Sequence, residues 1–189
     1  MGQMMKGKTA IVTGASRGIG KALACSAAGL GINLAIAARQ YEPLKAAADD
    51  ISAKYGVKVL PVAADVTKLE DLQNLVKKTR EEFGRIDILI NNAGVSSQYP
   101  FQQRPIEDFE KLVYTNYLGY VRMIRLVIED MIKNRSGAVI NMVSGSTLCD
   151  PIPRNFLVYS SLKVGLRAFS KGLFWELRDY GIKVTSILP

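Results

Sequence analysis

The stretch Thr13-Gly14-Ala15-Ser16-Arg17-Gly18-Ile19-Gly20 lies between an apolar run at residues 8–13 and a stretch of helical periodicity at residues 19–30. Glycines between a strand and a helix allow a tight turn and let a pyrophosphate approach the backbone. The N-terminus of the following helix adds free N–H groups and a partial positive charge. Such a turn also fits an ordinary strand–helix connection, but its position directly after a strand favours a nucleotide site.

Apolar runs and amphipathic stretches alternate along the rest of the chain. Predicted strands cover residues 8–13, 33–38, 57–62, 86–90, 138–143 and 182–188, and predicted helices cover 19–30, 42–55, 69–83, 106–132 and 156–180. Continuous apolar strands separated by helices indicate a parallel sheet covered on both faces. We therefore predict an α/β fold with a doubly wound, Rossmann-like parallel sheet. No linker or repeat interrupts it, so we expect residues 1–189 to form a single nucleotide-binding domain.

The composition excludes several classes of chemistry. The chain has 189 residues, no histidine, and two cysteines, Cys25 and Cys149, that are far apart. This argues against a metal site, a disulfide scaffold and histidine-based nucleophilic catalysis, so acid–base chemistry must use Tyr, Lys, Asp or Glu. The net charge of +8 fits either a solvated surface or attraction for a phosphorylated cofactor.

The same composition gives expectations about partners and location. No Lys/Arg stripe interleaved with aromatic residues is present, so we expect no nucleic-acid partner. No apolar run is long enough for a membrane span, and residues 1–8 contain no apolar core of a signal peptide. Together with the cysteine usage, these features lead us to expect a cytoplasmic protein without a membrane partner.

Polar motifs follow the predicted strands. Asp65-Val66 follows the third strand, Asn91-Asn92-Ala93-Gly94 follows the fourth, and Tyr159 and Lys163 lie on the last predicted helix. Residues i and i+4 share a helix face, so the ammonium is expected to lower the phenol pKa from its usual value of about 10. A phenol tuned in this way can give or take a proton near neutral pH.

In this order the motifs resemble those of the short-chain dehydrogenase/reductase family, including its 3-ketoacyl-thioester reductases, from about Lys6 to Pro189. The catalytic residues that the resemblance implies are Asn116, Ser144, Tyr159 and Lys163. The cofactor-binding residues that it implies are Gly14, Ser16, Arg17, Gly18, Ile19, Gly20, Arg39, Asp65, Val66, Asn91, Ala93, Gly94, Tyr159 and Lys163.

The resemblance also implies roles for single residues. In the family, the Asp that corresponds to Asp65 hydrogen-bonds the adenine ring. The Asn that corresponds to Asn116 helps to hold a water that links the lysine to solvent. Considered alone, Asp65 fits a helix-N-terminal acid near Thr67, and Asn116 fits a solvated position.

Two residues compete for the role of the family's serine. Counting forward through the fifth predicted strand reaches Ser144, whereas counting back from Tyr159 at the family's usual spacing reaches Ser146. We favour Ser144, because the strand fixes its direction. Its implied role is to hydrogen-bond the substrate oxygen and hold it against Tyr159.

The end of the second predicted strand indicates which nicotinamide cofactor is used. An acid there would bind ribose hydroxyls and select NAD, but the chain has Ala38 followed by Arg39. Arg17 and Arg39 suit a 2′-phosphate, although each also fits a solvated surface position. We predict that NADP(H) is preferred over NAD(H). The implied reaction transfers a hydride between the nicotinamide and the carbon of a small carbonyl or alcohol substrate, with Tyr159 as proton donor or acceptor.

The chain stops at Ile187-Leu188-Pro189, where the family continues into a further strand and a substrate lid. We therefore expect the domain to lack both and to be incomplete at its C-terminus relative to the family. This leaves two alternatives open: a catalytically impaired nucleotide-binding sensor or interaction protein, or a fragment of a longer reductase. The helices predicted at 106–132 and 156–180 are apolar on more than one face, which predicts a homodimer or homotetramer or, alternatively, a thicker monomer core.

Overall fold

A computed structural model of the chain describes residues 5–189. The strands are β1 (Thr9–Thr13), β2 (Asn33–Ala38), β3 (Val59–Ala63), β4 (Ile88–Asn91), β5 (Gly137–Met142) and β6 (Ile182–Ile187). The helices are α1 (Gly18–Gly29), α2 (Tyr41–Tyr55), α3 (Leu69–Phe83), α4 (Ile106–Val113), α5 (Gly119–Lys133) and α6 (Leu157–Leu177). Alternation of strands and helices along the chain produces a layered α/β architecture.

The strands form one parallel sheet in the order β3-β2-β1-β4-β5-β6. The central register places Val12 of β1 opposite Ile36 of β2 and Ile90 of β4. The chain winds outward from β1 to β3, returns to β4 and winds outward in the opposite direction. This order confirms the predicted doubly wound sheet, and it opens a crevice at the carboxyl ends of β1 and β4, where such sheets bind ligands.

Apolar side chains cover both faces of the sheet, because successive residues of a strand point to opposite sides. Ile11 packs with residues of α3 and α5 on one face, and Val12 packs with residues of α1 and α2 on the other. Both side chains are fully buried. The strands are therefore held from both sides, and the carboxyl ends that form the crevice have a rigid base.

The predicted strands and helices are confirmed, and the majority of their ends are shifted by one or two residues. The main difference lies in the helix predicted at 106–132, which is interrupted between α4 and α5 by a π-helical turn, Tyr114–Leu118. This turn contains Asn116. Single π-helical turns inside α-helices are frequent at functional sites.

Strand β6 lies at the edge of the sheet, and the chain continues past it alongside the loop after β5. The amide of Val143 donates to the carbonyl of Ile187 at 2.7 Å, and the amide of Gly145 donates to the carbonyl of Pro189 at 2.9 Å. The end of the chain is thereby fixed next to the segment that contains Ser144. The expectation about a signal peptide rests partly on residues 1–4, which lie outside the described residues.

Candidate active site

The glycine-rich turn between β1 and α1 is shaped by two glycines with different constraints. Gly20 packs so closely that a Cβ there would lie 2.2 Å from the carbonyl oxygen of Gly14. Gly18 has a left-handed φ of +59°, and a Cβ there would meet nothing within 4 Å. Gly20 therefore permits close packing. Gly18 faces open space, and its left-handed backbone conformation is one that favours glycine.

Helix α1 begins at Gly18 without a capping side chain. Its N-cap residue, Arg17, makes no side-chain hydrogen bond to the helix, and the first turn contains no acidic residue. The leading N–H groups of a helix need partners from outside the helix, and with the dipole they attract anions. An uncapped helix next to an open glycine therefore fits a pyrophosphate group. Ser16 is half-buried beside it, and Ile19 is 53% exposed.

The loop after β4 is fastened to this turn by Asn92 and Thr13. The Asn92 side chain donates to the carbonyls of Thr13 at 3.0 Å and Gly14 at 3.1 Å. The Thr13 hydroxyl accepts from the amides of Asn92 at 3.0 Å and Ala93 at 3.1 Å. The sequence-based site did not include Thr13 or Asn92. Their signal was present, since both stand in the motifs that follow β1 and β4.

Asn91 points into the interior instead of the crevice. It is buried, and its side chain donates to Asn141 Oδ1 at 3.0 Å; Asn141 in turn donates to Ser170 Oγ at 2.9 Å. These bonds connect β4, β5 and α6 through a chain of buried polar groups that satisfy one another. The structure thus shows a tie between elements at Asn91, and the predicted cofactor contact of this residue stays a prediction.

Asn116 is fully buried, which excludes the solvated position that its sequence context allowed. Its Oδ1 accepts from the amide of Val95 at 3.2 Å, and its Nδ2 donates to the carbonyls of Val95 at 2.9 Å and Leu112 at 3.2 Å. The side chain fixes the backbone just after Gly94. A Cβ at Gly94 would lie 3.0 Å from Asn116 Oδ1 and 4.0 Å from Lys163 Nζ, so a glycine keeps this junction open.

Tyr159 and Lys163 lie on one face of α6, one turn apart. The Lys163 ammonium lies 5.9 Å from the centre of the Tyr159 ring and donates to the Met142 carbonyl at 2.8 Å and to the Tyr120 hydroxyl at 3.3 Å. Lys163 is only 2% exposed, and this burial lowers its pKa from 10.5 to about 8. Sequence reasoning missed Tyr120, because a tyrosine in an apolar helix gives no signal of its own.

The two candidate serines are both half-buried and hydrogen-bonded within their own loop. Ser144 follows β5 and its Oγ accepts from the amide of Ser146 at 3.2 Å. The Ser146 hydroxyl lies 3.0 Å from that of Ser160, which donates to it. Neither hydroxyl proton, that of Ser144 or that of Ser146, has an acceptor among these bonds, so both are available to a ligand.

A cleft of about 170 Å³ brings several of these residues together. Its lining comes from the glycine turn, the loop after β4, the π-helical turn, the end of β5, α6 and the end of the chain. The lining residues are Ile19, Asn92, Gly94, Val95, Asn116, Met142, Val143, Tyr159, Lys163 and Pro189. The residues of the predicted site that lie outside this lining are Gly14, Ser16, Arg17, Gly18, Gly20, Arg39, Asp65, Val66, Asn91, Ala93 and Ser144.

At the other end of the crevice, the carboxyl ends of β2 and β3 present Arg39 and Asp65. Arg17 and Arg39 are exposed, and Ala38 is half-buried. Asp65 Oδ1 accepts from the amide of Thr67 at 2.9 Å and from its hydroxyl at 2.8 Å. Burial opposes ionisation of Asp65, but these bonds and the charges of Arg39 and Lys68 outweigh it and lower the pKa of its carboxyl group.

Val66 lies where the segment after β3 meets the start of α5, next to the π-helical turn. A Cβ at Gly119 would lie 2.9 Å from the Val66 carbonyl oxygen, so the two segments pack closely. Arg122 donates to the neighbouring Thr67 carbonyl at 2.9 Å. These contacts fix the segment after β3 relative to α5 and to the adjacent π-helical turn that contains Asn116.

Comparison with known proteins identifies a family. The model of the short chain dehydrogenase family matches residues 8–189. An uncharacterized oxidoreductase of Staphylococcus saprophyticus is 34% identical over 185 residues, which are 98% of this chain and 78% of that protein. A 3-oxoacyl-[acyl-carrier-protein] reductase of Chlamydia muridarum is 36% identical over 190 residues, 100% of this chain and 75% of that protein.

Solved structures agree with this match. L-Sorbose reductase from Gluconobacter frateurii, complexed with NADPH and L-sorbose, superposes with a TM-score of 0.92 at 34% identity. The match covers 97% of this chain and 69% of that one. An NAD⁺-bound xylitol dehydrogenase also superposes with a TM-score of 0.92, at 30% identity, over 98% of this chain and 70% of that one.

No helix among residues 5–189 combines the length and the apolar character needed to cross a membrane. The family match extends over the glycine turn, the crevice and the helix with Tyr159 and Lys163. The chain therefore belongs to the short-chain dehydrogenase family, and it is an oxidoreductase that acts on the CH–OH or C=O group of a small molecule with a nicotinamide cofactor.

Proposed function

We propose that the chain is an NADP(H)-dependent reductase of carbonyl compounds in which Tyr159 donates the proton. The observation that most supports this proposal is the cleft in which Tyr159, Lys163 and Asn116 meet, next to the uncapped N-terminus of α1. The relatives named as 3-oxoacyl-[acyl-carrier-protein] reductases support the direction of reduction.

The residues that would hold the cofactor lie along the crevice. The amides of the glycine turn fit the pyrophosphate, Arg17 and Arg39 fit a 2′-phosphate, and Lys163 fits a ribose hydroxyl. The remaining proposed contacts come from Gly14, Ser16, Ile19, Asp65, Val66, Asn91, Ala93, Gly94 and Tyr159. When it is bound, the nicotinamide supplies the hydride that a carbonyl carbon accepts.

Proton delivery is the task of the chain's own side chains. Tyr159 is half-buried at the cleft and gives its phenolic proton to the substrate oxygen. The ammonium of Lys163 favours the phenolate that remains, because a nearby positive charge stabilises a negative one. Asn116 lies at the π-helical turn and helps to hold the water that returns a proton to Lys163.

Substrate orientation is assigned to Ser144. Its hydroxyl proton has no acceptor in the loop, and its position after β5 directs it to the carboxyl edge of the sheet. A donor aimed at the substrate oxygen stabilises the charge that develops there during reduction. Ser146 is the alternative: like the Ser144 hydroxyl, its hydroxyl accepts one hydrogen bond, from Ser160, and has no acceptor for its own proton in the loop.

Several apolar residues of the helices predicted at 106–132 and 156–180, among them Leu112, Ile124 and Leu166, are buried in the core. Phe109 and Trp175 are instead 41% and 63% exposed. We propose that the exposed apolar faces of α4 and α6 pair in a homodimer or homotetramer, and that residues 1–189 form one nucleotide-binding domain of a cytoplasmic protein.

Replacing Tyr159 by Phe separates catalysis from cofactor binding. The variant loses the proton donor, so NADPH-dependent reduction of a panel of ketones is expected to fall by about 100-fold or more. NADPH affinity, measured by fluorescence titration, is expected to change far less than the rate, because all the other proposed cofactor contacts remain in the variant. Tyr180→Phe, the same change at an exposed turn after α6, is the control and is expected to keep full activity. Equal rates in both variants would refute the role of Tyr159, and NADPH binding without turnover in the unaltered chain would favour a nucleotide sensor.

Removing the charge of Arg39 tests the preference for NADP(H). Because a hydrogen bond to a charged group contributes about 1.5–3 kcal/mol, Arg39→Ala is expected to weaken NADPH binding by about tenfold or more and to leave NADH binding unchanged. Both affinities are read by fluorescence titration. Arg125→Ala, which removes an exposed arginine of α5, is the control. Equal losses for NADPH and NADH would contradict a phosphate contact at Arg39.

Single alanine substitutions decide between the two serines. Ser144→Ala is expected to lower kcat for ketone reduction by about 100-fold, since removal of one donor to a developing oxyanion has an effect of this size. Ser146→Ala keeps the Ser144 hydroxyl and is expected to keep most of the activity. A larger loss of kcat in Ser146→Ala than in Ser144→Ala would assign the role to Ser146.

A further inference from the structure

The ammonium of Lys163 lies in a pocket formed by a carbonyl group and a second tyrosine. Its Nζ donates to the Met142 carbonyl at 2.8 Å and to the Tyr120 hydroxyl at 3.3 Å. The Tyr120 hydroxyl donates to the same Met142 carbonyl at 3.3 Å. The three polar atoms therefore form a closed triangle, and two of the three N–H groups of Lys163 are engaged.

The ring of Tyr120 supports the same ammonium. Lys163 Nζ lies 4.7 Å from the centre of this ring, which is nearer than the 5.9 Å to the ring of Tyr159. A cation above an aromatic face is attracted by the ring's quadrupole, and the attraction grows when water is excluded. Tyr120 is 2% exposed and Lys163 is equally buried, so both conditions are met.

A purely structural role would account for only part of this arrangement. The Met142 carbonyl alone would satisfy the Tyr120 hydroxyl, as a buried phenol requires. The additional contact with Lys163 supplies an acceptor to a charge that the fold has removed from water. From this contact we infer that Tyr120 is a positioning residue, which holds the Lys163 ammonium charged and directs its third N–H group toward the cleft.

The inference rests on the proposed function, since it assigns to Tyr120 a part in the proton delivery by Tyr159 and Lys163. Tyr120 itself does not deliver a proton. Burial, and to a lesser degree the charge of Tyr159, raise the pKa of the Tyr120 phenol far above its usual value, so this phenol stays protonated. Its influence acts through Lys163.

The groups that face Lys163 are neutral polar groups or aromatic rings. They are Tyr120 from α5, Tyr159 from α6, the amide of Asn116 from the π-helical turn, the carbonyl of Met142 from β5 and the backbone of Gly94. No carboxylate among residues 5–189 forms an ion pair with Lys163. Burial lowers the pKa of Lys163 to about 8. A hydroxyl acceptor and an aromatic face both favour a charged ammonium, so we expect Tyr120 to oppose this effect.

Titration of Lys163 in the unaltered chain and in Tyr120→Phe tests the inference. Isotope-labelled lysine side chains are followed by NMR from pH 6 to 11, and the Lys163 signal is assigned by its loss in Lys163→Arg. The Tyr120→Phe variant loses the acceptor and keeps the ring, so the Lys163 midpoint is expected to fall by about 0.5–1 pH unit. Tyr117→Phe is the matched control, because Tyr117 belongs to the same apolar cluster and to the same helical stretch. Its Lys163 midpoint is expected to match that of the unaltered chain.

An unchanged midpoint in Tyr120→Phe, or an equal shift in Tyr117→Phe, would overturn the inference. If Tyr120→Phe fails to fold, 3-fluorotyrosine at position 120 preserves the volume and weakens the acceptor, and a smaller downward shift is then expected. No shift there would equally overturn the inference.

The titration needs neither cofactor nor substrate, so its result stands apart from the proposed function. A chain without turnover would refute the proposed function while leaving the Lys163 shift measurable. In an active chain, the upper pH limit of ketone reduction is expected to fall in Tyr120→Phe by the same amount as the midpoint. An upper limit that did not move would refute the positioning role alone.

Discussion

The hydrogen bonds of Asn92 to the Thr13 and Gly14 carbonyls hold the two halves of the sheet together where they diverge. The strand order reverses between β1 and β4, so their loops leave the sheet in different directions and open a crevice. The Asn92 side chain donates to the Thr13 and Gly14 carbonyls at 3.0 and 3.1 Å. In the opposite direction, the Thr13 hydroxyl accepts hydrogen bonds from the amides of Asn92 and Ala93. These bonds fix the position of the uncapped start of α1 relative to the residues after β4.

Burial of a positive charge dominates the chemistry of the cleft. Lys163 is 2% exposed, and its partners among the described residues are a carbonyl group, a phenol and two aromatic faces. This burial lowers the pKa of Lys163 to about 8, so the ammonium gives up its proton at a pH not far above neutral. A group poised in this way exchanges protons readily with a neighbouring phenol, which suits the role proposed for Tyr159.

The sequence predicts the fold well, because the information is repeated along the chain. Each buried strand is a continuous apolar run, and each helix shows its own periodicity, so small errors at the ends do not change the topology. The π-helical turn at Asn116 could not be foreseen, since apolar periodicity does not distinguish one i+5 turn within a long helix. The inward direction of Asn91 and the contact of Tyr120 with Lys163 depend on elements far apart in sequence. The loop with Ser144 and Ser146 departs from the family's spacing, and the residue counts alone leave two answers.

We propose that the crevice holds the nicotinamide cofactor between the start of α1 and Lys163. A crystal structure of the 189-residue chain grown with saturating NADP⁺ tests it most directly. We expect the diphosphate on the backbone amides after Arg17, the 2′-phosphate between Arg17 and Arg39, and a ribose hydroxyl at Lys163. A crevice without cofactor at saturation, or cofactor bound instead in the apolar groove between Phe109 and Leu157, would contradict the account.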